Sequence, residues 1–138
     1  MTAVILVVED NEIERFVMEQ LCQRLGYSVH VVCSGEDAIR ALKVRAYAAV
    51  LLDLGLPGMS GFDCVQQIRR NERFSQSRVP VIAVTARTNE EAFTKCIDAG
   101  MDDFVGKPVD IETFREKLSR WLLAKEPFNS VSEKPKNQ

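Results

Sequence analysis

Val4-Ile-Leu-Val-Val8-Glu9-Asp10 decides the architecture of this chain: five successive apolar residues, four of them β-branched, run directly into two carboxylates. Unbroken apolarity, rather than alternation, marks a strand covered on both faces, as parallel strands are beneath their crossover helices. Four further runs have the same character: Val29-His-Val-Val32, Ala49-Val-Leu-Leu52, Val79-Pro-Val-Ile-Ala-Val84 and Asp103-Phe-Val105. Pro80 sits at the start of its run, where a missing amide donor is tolerated. Between the runs the apolar period becomes helical. Ile13, Phe16, Val17, Leu21 and Leu25 form one stripe, closed by Gly26; Ala38, Ile39 and Leu42 form a second. Phe62, Val65 and Ile68 form a third after the turn Pro57-Gly-Met-Ser60-Gly61, and Ala92, Cys96 and Ala99 a fourth, ended by Gly100. Ile111, Phe114, Leu118, Trp121 and Leu122 form the last, with Asp110 placed to cap it. Five alternations of strand and helix predict an α/β fold, a doubly wound five-stranded parallel sheet with five helices and right-handed crossovers.

Composition agrees with one such domain. The chain has 138 residues, 46% apolar and 28% charged, and needs neither disulfide nor metal to bury a core. Eighteen basic against 20 acidic residues leave a net charge of −2, so no whole-chain field draws it to nucleic acid or an anionic membrane. The longest apolar run, Ala3 to Val8, is too short to span a bilayer, and the N-terminus lacks the pattern of a signal peptide. Cys22, Cys33, Cys64 and Cys96 make no C-x-x-C pair, and with His30 as the single histidine a zinc site is not expected. Cys22, Cys64 and Cys96 fall near helix stripes and read as small core residues. A reduced, cytoplasmic domain follows over residues 1–124. From Lys125 to Gln138 two prolines and no apolar period read as a disordered tail or linker.

In open α/β sheets ligands bind beyond the carboxyl ends of the strands. The polar residues there are Glu9 and Asp10 after the first strand, Asp53 ending the third, Thr85 after the fourth and Lys107 after the fifth, with Glu12 close behind in the first loop. Singly, each is an ordinary solvated strand end. Together, three carboxylates on one rim repel unless a cation neutralises them, and hard oxygen ligands with room for water suit Mg²⁺. A lysine and a hydroxyl on the far side are what an incoming phosphoryl anion requires.

At these residues the sequence resembles the response-regulator receiver domain of two-component phosphorelays. Val8-Glu9-Asp10-Asn11 resembles the family's acidic pair, and Leu51-Leu-Asp-Leu-Gly-Leu-Pro-Gly-Met-Ser-Gly61 its phosphoacceptor strand and loop. Val84-Thr85-Ala86 resembles the switch hydroxyl with its small neighbour, and Ala99-Gly-Met-Asp-Asp-Phe-Val-Gly-Lys-Pro108 the last strand and lysine turn. The resemblance implies a flavodoxin-like strand order, 2-1-3-4-5, with Asp53 as the residue phosphorylated. It implies Mg²⁺ held by Glu9, Asp10, Asp53 and the backbone carbonyl of Gly55, Thr85 and Lys107 on the phosphoryl group, and Phe104 as the switch aromatic. Gly55 and Arg87 fall at positions that tune phosphoryl lifetime in the family. Ser60 departs from the acidic residue often found before the glycine, and its hydroxyl can cap the third helix instead.

The implied partners are a histidine kinase or histidine phosphotransfer domain, with homodimerisation on phosphorylation compatible with the family, and no direct contact with nucleic acid or membrane. The ending Phe114-Arg-Glu-Lys-Leu-Ser-Arg-Trp121 resembles receivers of hybrid histidine kinases; a free-standing regulator also fits. Phe93 lies beside the fourth stripe, either as core or on the signalling face.

Rival classes lack their motifs. Gly58-Met-Ser-Gly61 is no nucleophile elbow, and His30, placed mid-strand and expected to be buried, offers no base. An aspartyl-nucleophile phosphatase wants a second acid where Gly55 stands. The glycines make neither a dinucleotide fingerprint nor a P-loop. A receiver-like module that interacts without being phosphorylated remains the other alternative.

Overall fold

The computed structural model describes residues 3–56, 58–72 and 78–123. The stretch 125–138, expected to be a tail or linker, lies outside them. Five strands, β1 (Val4–Val8), β2 (Ser28–Val32), β3 (Ala49–Asp53), β4 (Val81–Thr85) and β5 (Asp103–Gly106), alternate with five helices. The helices are α1 (Glu12–Arg24), α2 (Gly35–Val44), α3 (Gly61–Glu72), α4 (Glu90–Ala99) and α5 (Ile111–Leu123). All four pairings are parallel and the order is β2-β1-β3-β4-β5, the expected flavodoxin-like arrangement.

Successive strand side chains face opposite sides of a sheet, so each continuous apolar run feeds two cores. Leu6, Val8, Val50, Leu52, Val81 and Ala83 pack with Ala38, Cys64, Val65, Ile68 and Cys96 of α2, α3 and α4. Ile5, Val7, Leu51, Ile82, Val84 and Val105 pack with Met18 and Cys22 of α1 and Phe114 and Leu118 of α5. Three of the four cysteines are thus small core residues, as expected; Cys33 is exposed. Helix ends follow the sequence signals. Asn11, Ser34 and Asn89 accept N-capping bonds, Ser60 and Asp110 accept from the amides of Asp63 and Thr113, and Gly100 closes α4 at φ +116°.

Two sequence expectations need correction. The buried side of α1 is Met18 and Cys22, with Leu21 and Leu25 at its margin. Ile13, Phe16 and Val17 face outward, Ile13 at 74% and Phe16 at 61% exposure. The helix is apolar over a wider arc than one sheet face can cover, so part of the stripe is left in solvent. His30 is exposed rather than buried, because β2 is an edge strand. Val29 and Val31 reach the α1 side, while His30 projects to the other and hydrogen-bonds through Nδ1 with the Tyr47 hydroxyl.

Charge networks brace the sheet away from its carboxyl rim. Arg69 of α3 donates to the carbonyls of Val79 (2.7 Å) and Gly100 (2.9 Å) and pairs with Glu72 (2.9 Å) and Asp102 (2.8 Å). Asp102 also accepts from the Val81 amide at 2.8 Å. On β5, buried Asp103 accepts from Lys117 Nζ (2.9 Å), Trp121 Nε1 (3.0 Å) and the Phe104 amide (2.8 Å), tying α5 to the sheet. Burial raises the Asp103 carboxyl, but the hydrogen bonds from Trp121, Lys117 and Phe104 outweigh it and hold it below the ordinary carboxylate range. A carboxyl depressed by folding stabilises the native state above its unfolded pKa and loses that contribution as pH falls through its folded one. Asp103→Asn is therefore expected to cost about 2 to 3 kcal/mol near neutral pH. Urea denaturation should show the gap between variant and wild type closing in acid, and a gap that widens in acid would refute the assignment.

Candidate functional site

Parallel pairing in register brings four strand ends to one rim: Val8 lies opposite Leu52, Asp53 opposite Val84, and Thr85 opposite Gly106. The residues that follow or end these strands therefore converge. A cleft of about 650 Å³ opens there, lined by Glu9, Asp10, Glu14, Asp53, Gly55, Thr85, Arg87 and Lys107 among others. Seven of these eight are the residues singled out from sequence. Glu9, Asp53 and Thr85 are buried, Asp10 and Arg87 are exposed, and Lys107 is intermediate.

Glu9, Asp10 and Asp53 each present a carboxylate oxygen, all lying within 4.8 Å of one another. Lys107 Nζ reaches in from the β5 end, 3.2 Å from Asp53 Oδ1 and 3.5 Å from Glu9 Oε1. It also hydrogen-bonds Glu14 Oε1. Burial lowers the Lys107 pKa, but its bonds to Glu14 and Asp53 and the charges of Asp53 and Glu9 outweigh that, so it stays protonated well above the usual lysine range. Glu9 is raised to about 7: burial is the largest cause and the charges of Asp53 and Glu14 add to it, while the Asn11 amide and Lys107 oppose it. Three carboxylates share one ammonium and a fourth, Asp10, lies beside two of them, and the crowding of negative charge is what a hard divalent cation would relieve.

The opposite wall supplies donors and space. Thr85 Oγ1 accepts the Arg87 amide at 3.0 Å, an arrangement that leaves the hydroxyl proton to donate into the cleft. A Cβ built on Gly55 would lie 3.8 and 3.9 Å from the two Asp53 carboxylate oxygens. Any longer side chain there would overhang that carboxylate, so glycine keeps Asp53 open to approach. Gly61 serves packing instead: a Cβ would come within 2.7 Å of Leu54, so α3 starts tight against the end of β3.

Two expected residues fall elsewhere. Glu12 is exposed at the start of α1 and does not line the cleft. Phe104 is half-buried on β5, its ring 5.1 Å from that of Phe93 on α4, with Lys117 Nζ 5.4 Å from its centroid and donating to its carbonyl at 2.6 Å. Phe93 is 38% exposed and belongs to this α4–β5–α5 face rather than to the core. Glu14 was missed by sequence reasoning. It lies four residues after Asp10, one helical turn into α1, and only the helix starting at Glu12 turns it towards Lys107.

Residues 5–119 match the family model described as the response regulator receiver domain. Hybrid signal transduction histidine kinase L of Dictyostelium discoideum is 38% identical over 121 residues, 85% of this chain and 7% of that protein. The curated relatives include kinases from rice and Arabidopsis thaliana, and the chain spans between 4% and 15% of the length of those it resembles here. Among solved structures, the receiver domain of a sensor histidine kinase from Pseudomonas aeruginosa, with a magnesium ion in its active-site cleft, is 35% identical. It covers 88% of this chain and 98% of that one, with a TM-score of 0.78. The receiver domain of a Saccharomyces cerevisiae response regulator, co-crystallised with its histidine phosphotransfer protein, is 26% identical over 92% of this chain and 94% of that one, with a TM-score of 0.84.

Proposed function

Because the chain belongs to the response regulator receiver family of two-component signalling, we propose that Asp53 accepts a phosphoryl group from a phosphohistidine donor. One observation carries the reading: the Asp53 carboxylate sits at the floor of an open cleft, 3.2 Å from Lys107 Nζ and grouped with the carboxylates of Glu9 and Asp10. Attack by an Asp53 oxygen forms the P–O bond as the donor's P–N bond breaks, and the imidazole leaves with that electron pair. Phosphoryl transfer asks little covalent work of a protein, so positioning and charge do most of it.

Glu9, Asp10, Asp53 and the Gly55 carbonyl would hold Mg²⁺, a role supported by the donor set and by the magnesium-bound relative. When bound, Mg²⁺ neutralises the carboxylates and the charge on the phosphoryl oxygens. Lys107 balances the remaining charge, Thr85 donates its hydroxyl to a phosphoryl oxygen, and Ala86 leaves the mouth open beside it. Gly55 and Arg87 set how freely water reaches the acyl phosphate. The chain then acts as a phosphoacceptor that assists its own phosphorylation and dephosphorylation, not as a phosphatase. The latter would need an acid two residues after Asp53 in the chain, where Gly55 offers none.

Engagement of Thr85 and Lys107 by the phosphoryl group favours an arrangement in which Phe104 turns inward, changing the face that Phe93, Phe104 and Lys117 form across α4, β5 and α5. The partner that delivers the group must cover the cleft mouth, and α1 begins at that mouth. Ile13, Phe16 and Val17, at i, i+3 and i+4, lie exposed on one side of it. That patch offers apolar surface for a histidine phosphotransfer domain to cover, the kind of partner in the yeast complex. Similarity to hybrid kinases supports a place for the chain as a receiver module of such a protein.

Acetyl phosphate with Mg²⁺ should add one phosphoryl mass to the chain. Asp53→Asn and chelation of Mg²⁺ should each abolish the adduct, and Asp10→Asn should raise the Mg²⁺ concentration needed. An adduct that survives in Asp53→Asn would refute the acceptor. Arg87→Ala should change the lifetime of the adduct measured by its decay, and an unchanged lifetime removes Arg87 from the mechanism. Phe16→Ser should slow transfer from a phosphorylated histidine phosphotransfer domain at least tenfold while leaving the acetyl phosphate rate as it was. Equal loss with both donors would count against a docking role.

A further inference from the structure

Lys107 has three acidic partners, and the nearest is not the proposed acceptor. Its Nζ sits against Glu14 Oε1, then 3.2 Å from Asp53 and 3.5 Å from Glu9. Glu14 comes from a different element, the first turn of α1, where its amide is fixed to the Asn11 side chain at 2.9 Å. The cap thus sets where the Glu14 side chain emerges, and that point is on the α1 side of the cleft. Glu9 and Asp53 are buried in the floor; Glu14 is about half exposed at the wall, between the ammonium and solvent.

We propose that Glu14 is a positioning residue that holds Lys107 on the α1 side of the cleft and so restrains phosphorylation of Asp53. The inference rests on Asp53 being the phosphoacceptor. An incoming phosphoryl anion needs the ammonium to itself, and Glu14 competes for the same Nζ–H donors. Its charge also repels the anion within a Debye length, where screening is incomplete. Both effects have one sign: with Glu14 present, engagement of the phosphoryl group by Lys107 is harder. Glu14 lies outside the proposed metal ligands, so its effect is separable from cation binding by working at saturating Mg²⁺.

The test compares wild type with Glu14→Gln, which keeps the shape and removes the charge, and Glu14→Ala, which removes both. At saturating Mg²⁺ with acetyl phosphate, both variants should be phosphorylated about three- to tenfold faster. The gain should shrink at high ionic strength, which a merely structural effect would not do. In a Lys107→Met background the same Glu14 substitutions should bring less than half the gain, because the competition acts through that ammonium. Slower phosphorylation, or an equal gain without Lys107, would overturn the proposal.

A second measurement does not depend on phosphorylation. Brief acylation with acetic anhydride, followed by peptide mapping, should label Lys107 several-fold faster in Glu14→Ala than in wild type. An unaltered Lys107 labelling rate overturns the anchoring whatever happens at Asp53. A wild-type chain that takes no phosphoryl group, with Lys107 labelling faster in the variant, would instead sink the acceptor reading and the claim about rate while keeping the contact.

Discussion

The rest of the structure depends on a constraint of the sheet: parallel strands covered on both faces have nowhere to place polar side chains except their ends. Leu6, Val50 and Ile82 are fully buried, as are their strand neighbours. A charge at any of those positions would lose its hydration without a partner, at several kcal/mol. Charge is therefore driven to the rims, and parallel pairing in register collects the carboxyl-end residues of four strands at one place. The cleft follows from how the core is built.

The charge networks of the sheet differ in a way that separates scaffold from site. At the amino end of β4, among the described residues, Arg69 and Arg78 face Glu72 and Asp102, two charges against two, with backbone carbonyls and amides taking up further bonds. Such a network is satisfied and has no call for a ligand. At the carboxyl rim three carboxylates share Lys107, with Asp10 beside two of them, and burial is the largest cause lifting Glu9 towards neutrality. A protein that keeps an unbalanced cluster at the mouth of an open cleft retains free energy that a cation and an anion can release on binding.

The α4–β5–α5 face shows how that release can be carried outward. Lys117 touches both the carbonyl and the ring of Phe104, and Asp103 holds Lys117 and Trp121 together. Phe93 contacts the same ring from α4. A change in the position of Phe104 therefore cannot leave α4 and α5 undisturbed, because both already pack on it. Communication across this face needs only contiguous contacts with two arrangements available.

Much was legible in one dimension because strands and acidic rims are written in short, contiguous signals. The continuous β-branched runs, the polar residues closing four of them, the cap Asp110, and Gly100 all lie within a few residues of the element they define. From these came the strand–helix alternation and seven of the cleft residues named above, the roles carried over by resemblance. What the tertiary structure alone decided involves residues whose environment is set by distant chain. His30 is exposed because β2 has a neighbour on one side only. Ile13, Phe16 and Val17 stand in solvent because the sheet face beneath α1 is filled by Met18 and Cys22. Glu14 and Lys107 are 93 residues apart in sequence. Periodicity states which residues are apolar and which are charged; only packing states how much of an apolar arc is covered and which charge another will meet.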